Sequence, residues 1–220
     1  IKYFKDFGNP IRCSNIGSLL AEGKLIVWTG DDGVFFRDML DKNIDLLYSL
    51  GDNIKNVVVL KCYEGSGLVK YFEDKDLIYT GERLPEFSYF IKDTGCREIP
   101  EDWYSFYNAI MYYDFYRMMG GWNSEEFETL AMSHVDFSVR CYYMGANVIF
   151  SGDRITVHDH LGIGEGDHDP IYRAQTFKDQ PSVQRKYSDP KWHLKLNPTL
   201  DLNKNWKNSE SVWKERFGNL

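Results

Sequence analysis

The chain has 220 residues, of which 43% are hydrophobic and 16% aromatic, and 26 Lys+Arg against 33 Asp+Glu give a formal net charge of -7. That length and composition exclude a disordered chain and support one sizeable core, so a single α/β domain is expected. The acidic balance excludes a general nucleic-acid binder, which needs clustered Lys and Arg to neutralise phosphates, but it leaves room for a phosphorylated small molecule bridged by a metal ion. The longest apolar runs, such as residues 57–60, fall far short of the roughly 20 residues of a membrane span, and no signal peptide is visible. Cys13, Cys62, Cys96 and Cys141 are scattered without a CxxC pair. They are expected to be reduced thiols of a cytoplasmic protein, at most peripheral to the inner face of a membrane. A start at Ile1 rather than Met is expected of a processed chain or of part of a longer one.

In chain order, residues 15–22 predict a short helix and residues 24–29 a buried strand that runs into Asp31 and Asp32. Phe36, Leu40, Ile44 and Leu47 then share one face of a helix. Gly51 to Asn53 breaks it, and the β-branched run of residues 56–63 predicts the next strand. Residues 68–72 and 87–91 predict further strands. Residues 101–119 are apolar and aromatic, with acids in front and Arg117 near the end, and predict a helix with a strand allowed in part. After Gly120 and Gly121, Asn123 and Glu126 have the spacing of a capping box for a helix that runs to about Met144 and stops at Gly145. Residues 147–150 and 154–158 predict short strands. Residues 1–165 are thus expected to form the domain, and residues 166–220 a polar lid or tail packed on it.

Three constellations have chemical potential. Asp31 and Asp32 stand at the carboxyl end of a strand, where α/β sheets bind ligands, and paired carboxylates suit Mg²⁺ or Mn²⁺. The plain alternative is that Asp-Asp-Gly is only a turn. Residues 158–169 hold three of the five histidines and four acids. His158 and His160 alternate, so in a strand they share a face and suit metal or phosphate contact; the plain alternative is a solvated Gly-rich loop. On the helix before Gly145, His134, Asp136 and Arg140 interrupt an apolar pattern. Asp136 and Arg140 have the spacing of an exposed intrahelical ion pair, whereas the functional alternative makes His134 or Asp136 a general base toward an acceptor hydroxyl.

The order of Asn15, Gly17, Ala21, Gly23, the strand to Asp31 and Asp32, then Gly120, Gly121, Trp122, Asp136, Arg140, Gly145 and His158 resembles a glycosyltransferase. It is similar to the family 2-like enzymes of the GT-A fold, over roughly residues 8–165. The resemblance implies a Rossmann-related mixed central sheet flanked by helices, and transfer of a sugar from a nucleotide-sugar, UDP-linked in the first instance, to a saccharide or other hydroxyl acceptor. It implies Mn²⁺ or Mg²⁺ on the donor diphosphate, held by Asp31 and Asp32, with His158 added; His160 joins them as a candidate only through its alternation with His158. Where the family has D-x-D, this chain has Gly30, Asp31 and Asp32, which puts the metal chiefly on Asp32 and Asp31 nearer the sugar or ribose. Where the family has E-D-x-D, this chain has Ser133, His134, Val135 and Asp136, so His134 occupies the base position and Asp136 is the next acid and the preferred functional group.

Arg12 and Asn15 are further candidates on the donor side, Arg12 toward a phosphate. Gly121 and Trp122 are candidates for the substrate; of the rings Trp103, Tyr107, Tyr112, Tyr113 and Trp122, which could stack on a sugar face, most are expected to be core, with Trp122 the best exception. Relatives begin with about 50 to 65 more residues, including the first strand and a base-gripping acidic loop, so the domain is expected to be partial at its N-terminus. Two rivals remain: a relative that binds nucleotide or sugar without turnover, and a metal-dependent hydrolase centred on His158, His160 and His168.

Overall fold

A computed structural model describes residues 9–28, 33–35, 38–65, 106, 108–159, 173–189 and 191–205. The architecture is mixed α/β around one sheet. Helix α1 (Pro10–Leu19) starts on Asn9, whose Oδ1 accepts from the Arg12 N–H at 2.7 Å, with Pro10 in the first turn where its missing N–H costs nothing. It begins five residues earlier than the pattern predicts because that cap and proline lie upstream of the apolar positions. Strand β1 (Leu25–Val27) and strand β2 (Gly33–Phe35) flank the acidic stretch, and helix α2 (Met39–Ser49) packs Leu47 into the core. Strand β3 (Asn56–Gly65) matches the β-branched run.

The stretch expected to be largely helical divides. Among its described residues Asn108–Tyr112 form strand β4, buried at every position, and Tyr113–Met119 form a helix, α3. Central burial favours the strand here: β4 lies between β1 and β3 and pairs antiparallel with both. Helix α4 (Leu130–Tyr143) and the long strand β5 (Asn147–Asp159) follow. The two short strands expected in this region are one strand. An irregularity in its register against β3, where Val59 pairs with Phe150 and Lys61 with Arg154, accommodates Ser151 to Asp153.

The sheet order is β1-β4-β3-β5-β2, with β3 and β5 parallel and the other pairs antiparallel. Among the described residues β1 is thus an edge strand, and Val27 is 37% exposed. The strand expected to be buried is half-buried at Leu25 and Ile26 and exposed at Val27, and antiparallel pairing of Leu25 with Tyr112 through Val27 with Ile110 holds it.

After β5 the described chain resumes as a helical segment. Residues Gln175–Asp179 are π-helical and continue into α5 (Gln180–Ser188). Pro181 explains the wide turn: it has no N–H for the Phe177 carbonyl and its ring would collide with it, so the helix opens by one residue. A short helix α6 (Trp192–Lys195) and a 3-10 turn (Leu202–Asn205) follow. Val183, Tyr187, Trp192 and Leu202 are buried, and the Leu200 N–H donates to the Met119 carbonyl at 2.9 Å. Among the described residues no helix is long and apolar enough to cross a membrane.

Candidate functional site

The turn at Gly120 and Gly121 is the meeting point of three segments. Both glycines have left-handed backbone, φ 77° and 67°. A Cβ on Gly120 would lie 1.8 Å from the Leu200 carbonyl oxygen, and one on Gly121 would lie 2.5 Å from Asn15 Oδ1. Only glycine fits both the conformation and the close approach. From one side Asn15, fully buried, donates to the Trp122 carbonyl at 2.8 Å and accepts from the Trp122 N–H at 2.8 Å and the Tyr116 hydroxyl at 3.1 Å. From the other side Arg140 donates Nη1 to the Met119 carbonyl at 3.0 Å and Nη2 to the Gly121 carbonyl at 2.6 Å. Asn15 and Gly121, expected to contact donor and substrate, are thus occupied in clamping this turn to α1 and α4.

Arg140 also donates Nε to Asp136 Oδ2 at 2.9 Å. The expected pair forms, but it is not exposed: the two side chains have 1% and 0% accessibility. Lys186, from α5, donates to Asp136 Oδ1 at 2.7 Å and to Glu126 Oε2 at 2.7 Å, and the Tyr187 hydroxyl donates to Asp136 Oδ1 at 3.1 Å. Burial alone would raise the Asp136 pKa, but Lys186 and Arg140 outweigh it and hold the carboxyl below its usual range. Burial likewise works to lower the Lys186 pKa, and Asp136 and Glu126 together raise it. Asp136 is a carboxylate and Lys186 an ammonium at neutral pH.

His134 lies one helical turn away from Ser138, whose Oγ donates to the His134 carbonyl at 2.7 Å. Its ring meets Trp122 with centroids 5.6 Å apart. At 1% exposure, burial lowers its pKa to about 3, so the imidazole is neutral across the physiological range. Trp122 is also 1% exposed and packs on Phe137 at 4.3 Å and Trp28 at 5.0 Å. Its indole is a core ring here and presents no open face to a sugar. Tyr112 is buried too, and Arg12 is 6% exposed at the start of α1.

The capping-box residues pair, with Glu126 N–H to Asn123 Oδ1 at 3.2 Å and Asn123 Nδ2 to Glu126 Oε2 at 2.8 Å. They close a turn rather than start α4, which begins after Thr129. The cap of α4 comes from far downstream: Asp179, fully buried, accepts from the N–H groups of Glu128 at 2.9 Å and Thr129 at 2.7 Å and from the Thr129 hydroxyl at 2.7 Å. Nothing in the local sequence points to Asp179, Lys186 or Tyr187, because each acts on a partner 50 or 51 residues away.

Beside this network lies a polar cleft of about 670 Å³, within the range of ligand pockets. Asp136 and Arg140 line it from α4, Asn123 and Glu126 from the turn, and Lys186 and Asn197 from the C-terminal segment.

At the other end of the strand order from β1, β2 runs antiparallel to β5 with Gly33 opposite His158, and His158 also stands opposite Glu64 of β3. The residue that follows Asp32 in the chain is therefore paired with the histidine predicted to act with it. Asp31, Asp32, His160, His168, Trp103 and Tyr107 lie outside the described residues. Among those described, no group of three or more His, Cys, Asp or Glu side chains converges as a metal set.

Fold and network define the class as a mixed α/β domain, with one buried charge cluster joining its C-terminal segment to its central helix. No protein-family model matches the sequence, and no curated protein matches it.

Proposed function

We propose that the chain is a metal-dependent glycosyltransferase of the GT-A type that moves a sugar from a nucleotide-sugar to an acceptor hydroxyl. One observation carries this reading: Gly33 is paired with His158, which joins the end of the acidic stretch to the histidine strand. Asp31, Asp32 and His158 would hold the ion, His160 being the further candidate, and two carboxylates with an imidazole suit Mn²⁺ or Mg²⁺. When bound, such an ion supplies charge neutralisation for the leaving nucleoside diphosphate. The mixed sheet and the clamped Gly-Gly-Trp turn agree with this fold type.

Asp136 is the candidate base, because it lines the cleft and stays ionised. Its carboxylate takes a proton from an acceptor hydroxyl once that hydroxyl replaces Lys186 or Tyr187 as its donor. His134 is the weaker candidate, since its ring is buried against Trp122 and does not line the cleft. The test is nucleotide release from a panel of UDP-, GDP-, CDP- and dTDP-sugars with Mn²⁺. Release that falls by about two orders of magnitude or more in Asp136→Asn supports the assignment, and release unchanged in that variant removes Asp136 as base.

A second reading, a relative that binds nucleotide or sugar without turnover, is favoured by how fully Asp136 is engaged by Arg140, Lys186 and Tyr187. Nucleotide binding without release from any donor would select it. Three histidines converging on zinc would instead select a hydrolase centred on His158, His160 and His168.

A further inference from the structure

We propose that the polar cleft between α4 and the C-terminal segment binds an anionic sugar unit, a uronate or a phosphorylated sugar, through Arg185 and Lys195. Its role as the acceptor site rests on the glycosyltransferase reading; the binding itself does not.

The interior charges of the cleft are already spent on one another. Asp136 is met by Arg140 and Lys186, and Lys186 also takes Glu126. Besides Asp136, which the glycosyltransferase reading makes the base, the charged groups that face a ligand are Arg185, Lys195 and Glu125. Arg185 is exposed and donates Nη2 to a neutral partner, Ser182 Oγ, at 2.9 Å. Its planar fork suits a carboxylate or phosphate. Lys195 meets Asp189 at 2.5 Å but is 72% exposed. Such a surface pair is weak and exchanges readily for a ligand anion.

Arg185 and Lys195 thus face Glu125 and the partly exposed Glu126, the latter already joined to Lys186, in a chain whose overall charge is -7. Ser182 and Asn197 add neutral groups suited to hydroxyls. Among the described lining residues none is aromatic, so recognition is by charge and hydrogen bonds rather than by ring stacking.

The experiment is calorimetric titration of glucuronate, glucose 6-phosphate and glucose into the full chain at low ionic strength. It compares wild type with Arg185→Ala, Lys195→Ala and Glu125→Gln. Arg185 and Lys195 are exposed, so both alanine variants are expected to keep the wild-type melting temperature. The expected result is binding of one or both anionic sugars, with glucose at least about tenfold weaker. Arg185→Ala is expected to weaken the anionic sugar about tenfold and Glu125→Gln to tighten it. Preference for glucuronate names a carboxylate as the anchor, and preference for glucose 6-phosphate names a phosphate. Equal binding of glucose, an unchanged affinity in Arg185→Ala, or no binding of any of the three overturns the proposal. These outcomes are independent of whether UDP binds at the acidic stretch.

Discussion

Asp136 carries a full negative charge at a point with no solvent exposure, and three donors hold it there. Replacing it with alanine leaves Arg140 buried without its carboxylate and removes the tie to Lys186. Losing one member of a buried ionic cluster costs about 3–5 kcal/mol, so urea denaturation of Asp136→Ala is expected to show a loss of that order. A loss under 1 kcal/mol would mean that the cluster is solvated in solution. Lys186→Met is expected to cost less, because Arg140 still neutralises the acid.

His134 sets a different pH window. Its folded pKa of about 3 lies below the ordinary 6.5, so as pH falls through 6.5 the unfolded chain gains a proton that the folded chain refuses. Stability therefore declines from about pH 6.5 downward, at a limiting slope of about 1.4 kcal/mol per pH unit. Asp136, with its folded pKa depressed, contributes stability that is present above 3.8 and is lost as pH falls below it. His134→Leu is expected to flatten the difference between urea curves at pH 7 and pH 5 while leaving the loss below pH 4 in place. An undiminished pH 7 to pH 5 difference in that variant would mean that His134 is solvated or paired when charged.

At the scale of elements, α4 depends on a segment that begins some thirty residues beyond its end. Asp179 satisfies two backbone N–H groups at its start that no local side chain caps. Asp179→Ala is expected to destabilise by about 2 kcal/mol and to speed amide exchange at Glu128 and Thr129 ahead of the rest of α4. Unchanged exchange there would show that the cap is not formed in solution. The same comparison shows what local pattern can carry. Helix α2 and strand β3 follow from their apolar spacing, since one face or a β-branched run is enough to specify them. Strand β4 does not, because a run of Ala, Ile, Met and Tyr satisfies either period and its central place in the sheet decides. Asn123 and Glu126 do form their pair, yet the helix starts seven residues beyond Asn123, at Leu130, where the cap is tertiary.

For the whole molecule, the mixed α/β class was legible in the alternation of strands and helices, and the pairing of Gly33 with His158 joins two motifs that the sequence separates by 125 residues. The roles of the invested polar residues were less legible. Asn15 and Gly121 have the residue types of a ligand site, but their hydrogen-bonding groups and space are taken by the turn they lock. Trp122 has the residue type of a sugar platform, but Phe137 and Trp28 cover it. Both follow from contacts between distant segments, which no spacing rule records.

The central claim is that the acidic stretch and the strand paired beside it form a metal-assisted nucleotide site. Its most direct test is calorimetric titration of UDP into metal-free protein, with and without Mn²⁺, for wild type and Asp32→Ala. The account predicts binding that requires Mn²⁺ and falls at least about tenfold in Asp32→Ala, with GDP, CDP and dTDP tried in the same way if UDP is not the nucleotide. Nucleotide binding indifferent to both Mn²⁺ and Asp32, or no binding of any of the four, would contradict it.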